Sequence, residues 1–277
     1  MIGLTKKVLI ANRLGALAAP YFLTDPANLN AAQAWIGLLA ALMQVYFDFS
    51  GYSDMAVGLG RMMGFKLPEN FNNPFISGSL TEFWQRWHIS LGNWMRLYLY
   101  IPLGGNRLAE PWKNYRNLGL VFVFAGLWHG ASWNFLIWGT IHGFVLILER
   151  LILLRFLKRI GRLSGMIYTF SIVVVFNAIF KIHDFESAIK YYTSLFSIRP
   201  GIPHIAPLEI WVVLGLALIL SFAAAIPTIQ RLQNRLYATQ HGTVGQLILF
   251  SGSVLLLVVI SSYLVWTPYN PFLYFQF

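Results

Sequence analysis

Cysteine is absent from the 277-residue chain. That excludes disulfides, thiolate metal sites, a cysteine nucleophile and S-palmitoylation, and it leaves the redox compartment undetermined. Acids are scarce too: 10 Asp+Glu stand against 20 Lys+Arg, a net charge of +10, and only 11% of residues are charged. An ordinary water-exposed surface needs more charge than that. No H-E-x-x-H, P-loop or G-x-S-x-G occurs, so zinc proteolysis, nucleotide hydrolysis and serine-hydrolase chemistry lack their usual parts. What the chain has in abundance is apolar and aromatic: 57% hydrophobic residues, with 22 Phe, 13 Tyr and 10 Trp, and a mean hydropathy of +0.60. Its preferred solvent is lipid, and both a soluble globular domain and a disordered chain are disfavoured. The basic residues lie between apolar runs, as they do when they set membrane orientation, so no nucleic-acid partner is expected. No metal site is expected either.

Uncharged runs mark the membrane segments, because a spanning helix needs roughly 20 apolar residues and a formal charge in hydrocarbon is costly. Five are found: Ala31 to Phe47, Asn117 to Leu148, Leu163 to Phe180, Ile210 to Gln230 and Val244 to Trp266. All read as helices, giving an all-α, multi-pass membrane protein with one domain over residues 1–277. Arg150, Arg155, Lys158, Arg159 and Arg162 form a loop without an acid and are expected on the cytoplasmic side. Lys6 and Lys7 before LGALAA imitate a signal peptide, but Asn12 and Arg13 interrupt its apolar region, and the segment reads as an amphipathic or interfacial helix.

The run from Asn117 to Leu148 has the wrong length, too long for one ordinary crossing and too short for two full ones. A break is expected at Trp128-His129-Gly130-Ala131-Ser132-Trp133-Asn134, the polar and small cluster in the run. Broken helices at membrane depth are tolerated where they are buried in protein or line a wet cavity, which makes His129 a candidate for such a cavity. On a helical reading Gly126, His129, Gly130 and Trp133 share a stripe. The plainer alternative is a histidine that joins helices through one hydrogen bond. His142, one turn after Trp138, is expected to satisfy a backbone carbonyl.

Between Arg61 and Arg116 prolines punctuate a polar and aromatic belt. Leu80 to Tyr100 keeps helical spacing, with Glu82 and Arg86, Trp84 and His88, and His88 and Gly92 each one turn apart. It reads either as a helix dipping into the protein or as an amphipathic surface helix. Upstream, Asp48 and Asp54 could meet Arg86 and Arg96. A purely structural pairing is favoured, since two carboxylates six residues apart do not by themselves make an acid–base dyad.

Histidine in a hydrophobic enclosure suits proton removal from a hydroxyl as it attacks a thioester or ester, so O-acyl transfer fits this inventory. The runs QVYFDFSGYSDMAVGLGRMMGF, PENFNNPF, TEFWQRWHISLGNW, YLYIPLGGNR and LWHGASWNFLIWGTIHG, in that order, with the PFLYFQF ending, closely resemble membrane-bound O-acyltransferases (MBOAT) of the alginate O-acetyltransferase type. The resemblance implies an all-helical transferase of the bacterial inner membrane that moves an acyl group, acetyl above all, from a cytoplasmic thioester such as acetyl-CoA toward an extracellular polysaccharide. It also implies a periplasmic acyl-accepting or acetyltransferase partner and no tightly bound cofactor. By its Trp-His-Gly match His129 corresponds to the catalytic histidine, and by its Arg-Trp-His match His88 corresponds to a second histidine of the same tunnel. Asp48, Asp54, Arg86, Asn93, Arg96, Trp128 and Asn134 are the candidates for substrate contacts. Two departures from relatives stand out: Arg96-Leu97 replaces a usual Arg-Asp, and Gln85 replaces a second arginine before Arg86. Such enzymes also carry further helices ahead of the point where Met1 begins, so the chain is expected to match their C-terminal part. The competing reading is a non-catalytic truncated membrane module or transporter-like scaffold, since broken helices also mark transport sites.

Overall fold

Charges that end an apolar run in the sequence do not end the corresponding helix when a partner neutralises them. The structure, a computed structural model, describes residues 1–182, 184–202, 206–237, 242–266 and 272. Among these residues it is helical without a strand; an isolated antiparallel bridge joins Phe71 and Trp87. Among the described residues five helical stretches are long and apolar enough to cross a membrane: Ala31–Met62, Trp133–Ile160, Arg162–Lys181, Leu208–Ala225 and Thr243–Val265. Of the closing PFLYFQF run, only Phe272 lies within the described residues.

The chain divides into two compact units. The first comprises Met1–Leu17, Leu42–Glu69 and Ile205–Gln276. It begins with α1 (Ile2–Thr5), a π-helical turn over Lys6–Ala11 and the start of α2 (Asn12–Leu23). This segment, expected as an amphipathic or interfacial helix, is helical and turns one face into the protein. Leu14 and Leu17 are fully buried, and a Cβ on Gly3 would overlap the Gly51 carbonyl of α3 (Ala31–Met62). The two lysines that suggested a surface position are paired instead: Lys7 Nζ lies 2.5 Å from Asp48 and Lys6 Nζ 2.8 Å from Asp54. Those pairs let α3 run on past Phe47 to Met62. The unit closes with α11 (Leu208–Phe222), α12 (Pro227–Leu236) and α13 (Thr243–Trp266). The expected span to Gln230 stops earlier because Pro227, which lacks an N–H, starts a new polar helix. Arg13 ties this unit together, pairing with Glu209 at 3.1 Å and lying over the Tyr263 ring.

The second unit, Ala18–Ala41 and Asn70–His204, holds the histidines. The sequence expectation of one helix from Leu80 to Tyr100 gives way to two short ones, α4 (Leu80–Arg86) and α5 (Ile89–Met95), followed by a π-helical turn over Arg96–Tyr100. The long uncharged run resolves into a hairpin, α6 (Pro111–His129) and α7 (Trp133–Leu148). Its break falls at Gly130-Ala131-Ser132, inside the expected cluster, and Ser132 caps α7 by accepting from the Phe135 N–H. Glycines let the two helices touch backbone to backbone. A Cβ on Gly126 would overlap the Phe135 carbonyl, and one on Gly139 would overlap the Phe122 carbonyl. Gly126 thus serves helix contact, while the stripe through His129, Gly130 and Trp133 is cut by the turn.

After a π-helical turn over Glu149–Leu153 come α8 (Leu154–Ile160), α9 (Arg162–Lys181) and α10 (Phe185–Ser194). Glu149 is fully buried. Its carboxylate accepts from the N–H groups of Leu80 and Thr81, at 2.5 and 2.9 Å, and from the Thr81 hydroxyl at 2.7 Å. A negative charge placed on the unsatisfied donors of a helix N-terminus explains how an acid is held in the interior. Nearby, a Cβ on Gly165 of α9 would overlap the Gly78 carbonyl, so α9 reaches the chain just before α4.

Candidate active site

His88 owes its position to the loop before α4. The backbone of Asn72 donates to Arg86 O at 2.9 Å and that of Ile89 to Asn70 O at 3.0 Å. These bonds clamp the PENFNNPF run against the Arg-Trp-His segment and break the helix between them. His88 is left in the left-handed region, φ 48° and ψ 54°, an uncommon conformation for a residue with a side chain. Arg86 reinforces the clamp, pairing with Glu82 at 2.8 Å and donating to Asn72 O.

The same loop selects the His88 tautomer. Asn70 Oδ1 accepts from the Ser90 N–H and from Ser90 Oγ, each at 3.0 Å. With its proton given to Asn70, Ser90 Oγ faces His88 Nδ1 at 3.4 Å as an acceptor, which favours the proton on Nδ1. Burial lowers the His88 pKa from its ordinary 6.5 to about 4, against the opposing pull of a backbone hydrogen bond. The ring is therefore neutral at neutral pH.

His129 ends α6, where the hairpin turn begins. Its ring is surrounded by aromatic rings from three helices: Trp128 at 4.9 Å, Phe135 at 6.1 Å, Trp138 at 5.5 Å and Phe180 at 5.0 Å between centroids. Phe135, Trp138 and His142 share one face of α7. Phe180 arrives from the end of α9, where the buried Asn134 amide donates to the Ile182 carbonyl and ties the start of α7 to that end. Trp128, half-exposed, also touches the His88 ring edge to face at 5.9 Å. Both imidazoles thus meet one indole, and His129 lies within electrostatic range of His88. His142 behaves as expected: it is buried and its Nδ1 donates to Trp138 O at 2.8 Å.

The structure brings His88, His129 and Trp128 together. Several other candidates have partners within the protein. Asp48 and Asp54 are engaged by Lys7 and Lys6 within the first unit, the kind of structural pairing the sequence favoured, while Arg86 is engaged by Glu82. Electrostatics explains the pairing, since each carboxylate is neutralised by a lysine from a helix packed against its own. Asn134 holds the α7–α9 junction. Asn93 and Arg96 are exposed, on α5 and on the π-helical turn that follows it. Sequence reasoning missed the enclosing residues Phe135, Trp138 and Phe180 and the tautomer-setting Asn70 and Ser90. The i, i+3 spacing of Phe135 and Trp138 was a usable signal; nothing in the sequence pointed to Phe180. No group of three or more His, Asp or Glu capable of holding a metal ion occurs among the described residues.

Residues 1–183 match the family model described as MBOAT, membrane-bound O-acyltransferase family. The chain is 49% identical over 197 residues to "Probable alginate O-acetylase AlgI" of Pseudomonas aeruginosa, an alignment covering 71% of this chain and 37% of that protein. It is 43% identical over 192 residues to the peptidoglycan O-acetyltransferase of Helicobacter pylori, covering 68% and 36%. A teichoic acid D-alanyltransferase of Bacillus subtilis is 42% identical over 106 residues, covering 36% and 27%. In each case the chain spans well under half of the relative's length.

Proposed function

Because the chain belongs to the membrane-bound O-acyltransferase family, we propose that it carries the histidine site of an integral-membrane enzyme that acylates the hydroxyl groups of an extracellular polysaccharide. The observation that carries this reading is the approach of two imidazoles to one indole, Trp128, one of them ringed by aromatic side chains. The names of the relatives, an alginate O-acetylase and a peptidoglycan O-acetyltransferase, support acetyl as the acyl group and a polysaccharide as its acceptor.

In this reading the neutral His129 imidazole takes the proton of the acceptor hydroxyl as its oxygen attacks the carbonyl of a thioester such as acetyl-CoA. The carbon–oxygen bond forms, the carbon–sulfur bond breaks, and the thiolate leaves with the proton returned from the imidazolium. The aromatic enclosure limits water, which would otherwise compete as acceptor. His88 orients the hydroxyl or relays its proton, and Trp128 holds both rings in register. The basic, helical stretch from Arg150 to Arg162 supports a cytoplasmic position for that segment, and with it a cytoplasmic donor, an inner-membrane location and transfer toward a periplasmic partner.

Replacing His129 by Ala in the full-length enzyme is expected to lower acetylation of the polymer by roughly 10²- to 10⁴-fold, the usual contribution of a general base. Membranes supplied with labelled acetyl-CoA give the measurement. Unchanged labelling would remove His129 from the role of base.

A further inference from the structure

The stretch from Glu149 to Leu163 carries a surface that the proposed chemistry does not use. Five cations, Arg150, Arg155, Lys158, Arg159 and Arg162, are exposed on it. Between them stand apolar side chains that are also exposed: Leu151, Ile152, Phe156, Ile160 and Leu163, the last at 69%. The inward register is occupied separately. Leu157 is buried, and Glu149, the acid of this stretch, is turned into the protein and engaged by Leu80 and Thr81. The ion pairs among the described residues use Lys6, Lys7, Arg13, Arg61, Arg86, Lys113 and Lys190 as cations, not these five.

The backbone keeps the cations clustered. The π-helical turn over Glu149–Leu153 rotates the face that follows it, and Gly161, at φ 93°, redirects the chain into α9 so that Lys158 and Arg159 lie before a tight junction and Arg162 after it. A surface that mixes unpaired cations with exposed apolar side chains at the end of a membrane-spanning helix matches a headgroup boundary. The apolar groups reach acyl chains while the long basic stems keep their charges at headgroup depth. Charge complementarity selects an anionic headgroup over a zwitterionic one.

We propose that the Arg150–Arg162 face is a binding surface for anionic phospholipid, with Arg155, Lys158 and Arg159 of α8 as the principal contacts to the lipid phosphate.

The test compares phosphatidylglycerol with phosphatidylcholine added to the full chain purified in a neutral detergent, with retained lipid counted by native mass spectrometry. The expected result is a preference for phosphatidylglycerol on the order of tenfold or more, abolished in R155Q/K158Q/R159Q and kept in R155K/R159K. Equal retention of the two lipids by the wild type would overturn the proposal, as would preference surviving in the triple glutamine variant. Displacement of phosphatidylglycerol by an equal concentration of inorganic phosphate would also overturn it, by showing a free-phosphate site. Should the triple variant fail to fold, the wild type at raised ionic strength decides: loss of preference supports the surface, and an unchanged preference counts against it.

Discussion

Gly126 on α6 lies so close to Phe135 on α7 that a Cβ there would overlap the Phe135 carbonyl oxygen. The contact sets the spacing of the hairpin whose turn presents His129. Substitution Gly126→Ala is expected to destabilise the chain by about 1–3 kcal/mol, the cost of overpacking a tight contact. Gly119→Ala serves as control, because its Cβ would meet only Ile147 at 3.7 Å, an ordinary contact. Thermal melts followed by circular dichroism in detergent check the pair; equal melting of the two variants would contradict the assignment.

Stability should respond to acid through His88. Its pKa in the folded chain lies near 4 against an ordinary 6.5, so the unfolded chain binds the proton first as pH falls. The stability associated with the neutral ring is therefore intact above pH 6.5 and is lost progressively between 6.5 and 4, by at most about 3 kcal/mol. Melts of wild type and His88→Gln from pH 7.5 to 4.5 measure it. The difference, wild type minus variant, is expected to fall with pH; a constant difference would show that the ring is not buried.

Asn70 acts on His88 through Ser90. Loss of that relay in Ser90→Ala leaves the ring in place but frees its tautomer, and a cost of about 1 kcal/mol corresponds to roughly fivefold in kcat with KM little changed. The steady-state parameters of the full-length enzyme, together with nitrogen chemical shifts of labelled histidine, separate this from a loss of fold.

Glu149 holds the N-terminus of α4 with three hydrogen bonds. Glu149→Ala strands those donors in the interior and should cost about 3 kcal/mol or more. Glu149→Gln keeps one acceptor oxygen and should recover part of that stability. An alanine variant as stable as the glutamine variant would deny Glu149 this role.

Much of the architecture was legible in the chain because its cause is local. Four of the five apolar runs became spanning helices, and the fifth broke where Gly130, Ala131 and Ser132 stand, since run length and backbone freedom are properties of sequence alone. The match of Arg-Trp-His and Trp-His-Gly likewise named His88 and His129 as candidates. Asp48 and Asp54 show the limit: their lysines lie about 40 residues or more upstream, and spacing along the chain carries no sign of that pairing.

Composition and run lengths by themselves determined that this is a helical membrane protein with His129 at an interruption in a long apolar run, because the cost of charge in lipid acts residue by residue. Tertiary structure decided the rest: that a loop starting at Asn70 breaks one expected helix and fixes the His88 ring, that Phe180 closes around His129, and that Glu149 faces inward while its basic neighbours face out. Those outcomes depend on which backbone donors and ring faces meet after the helices pack, and packing joins residues that the sequence keeps far apart.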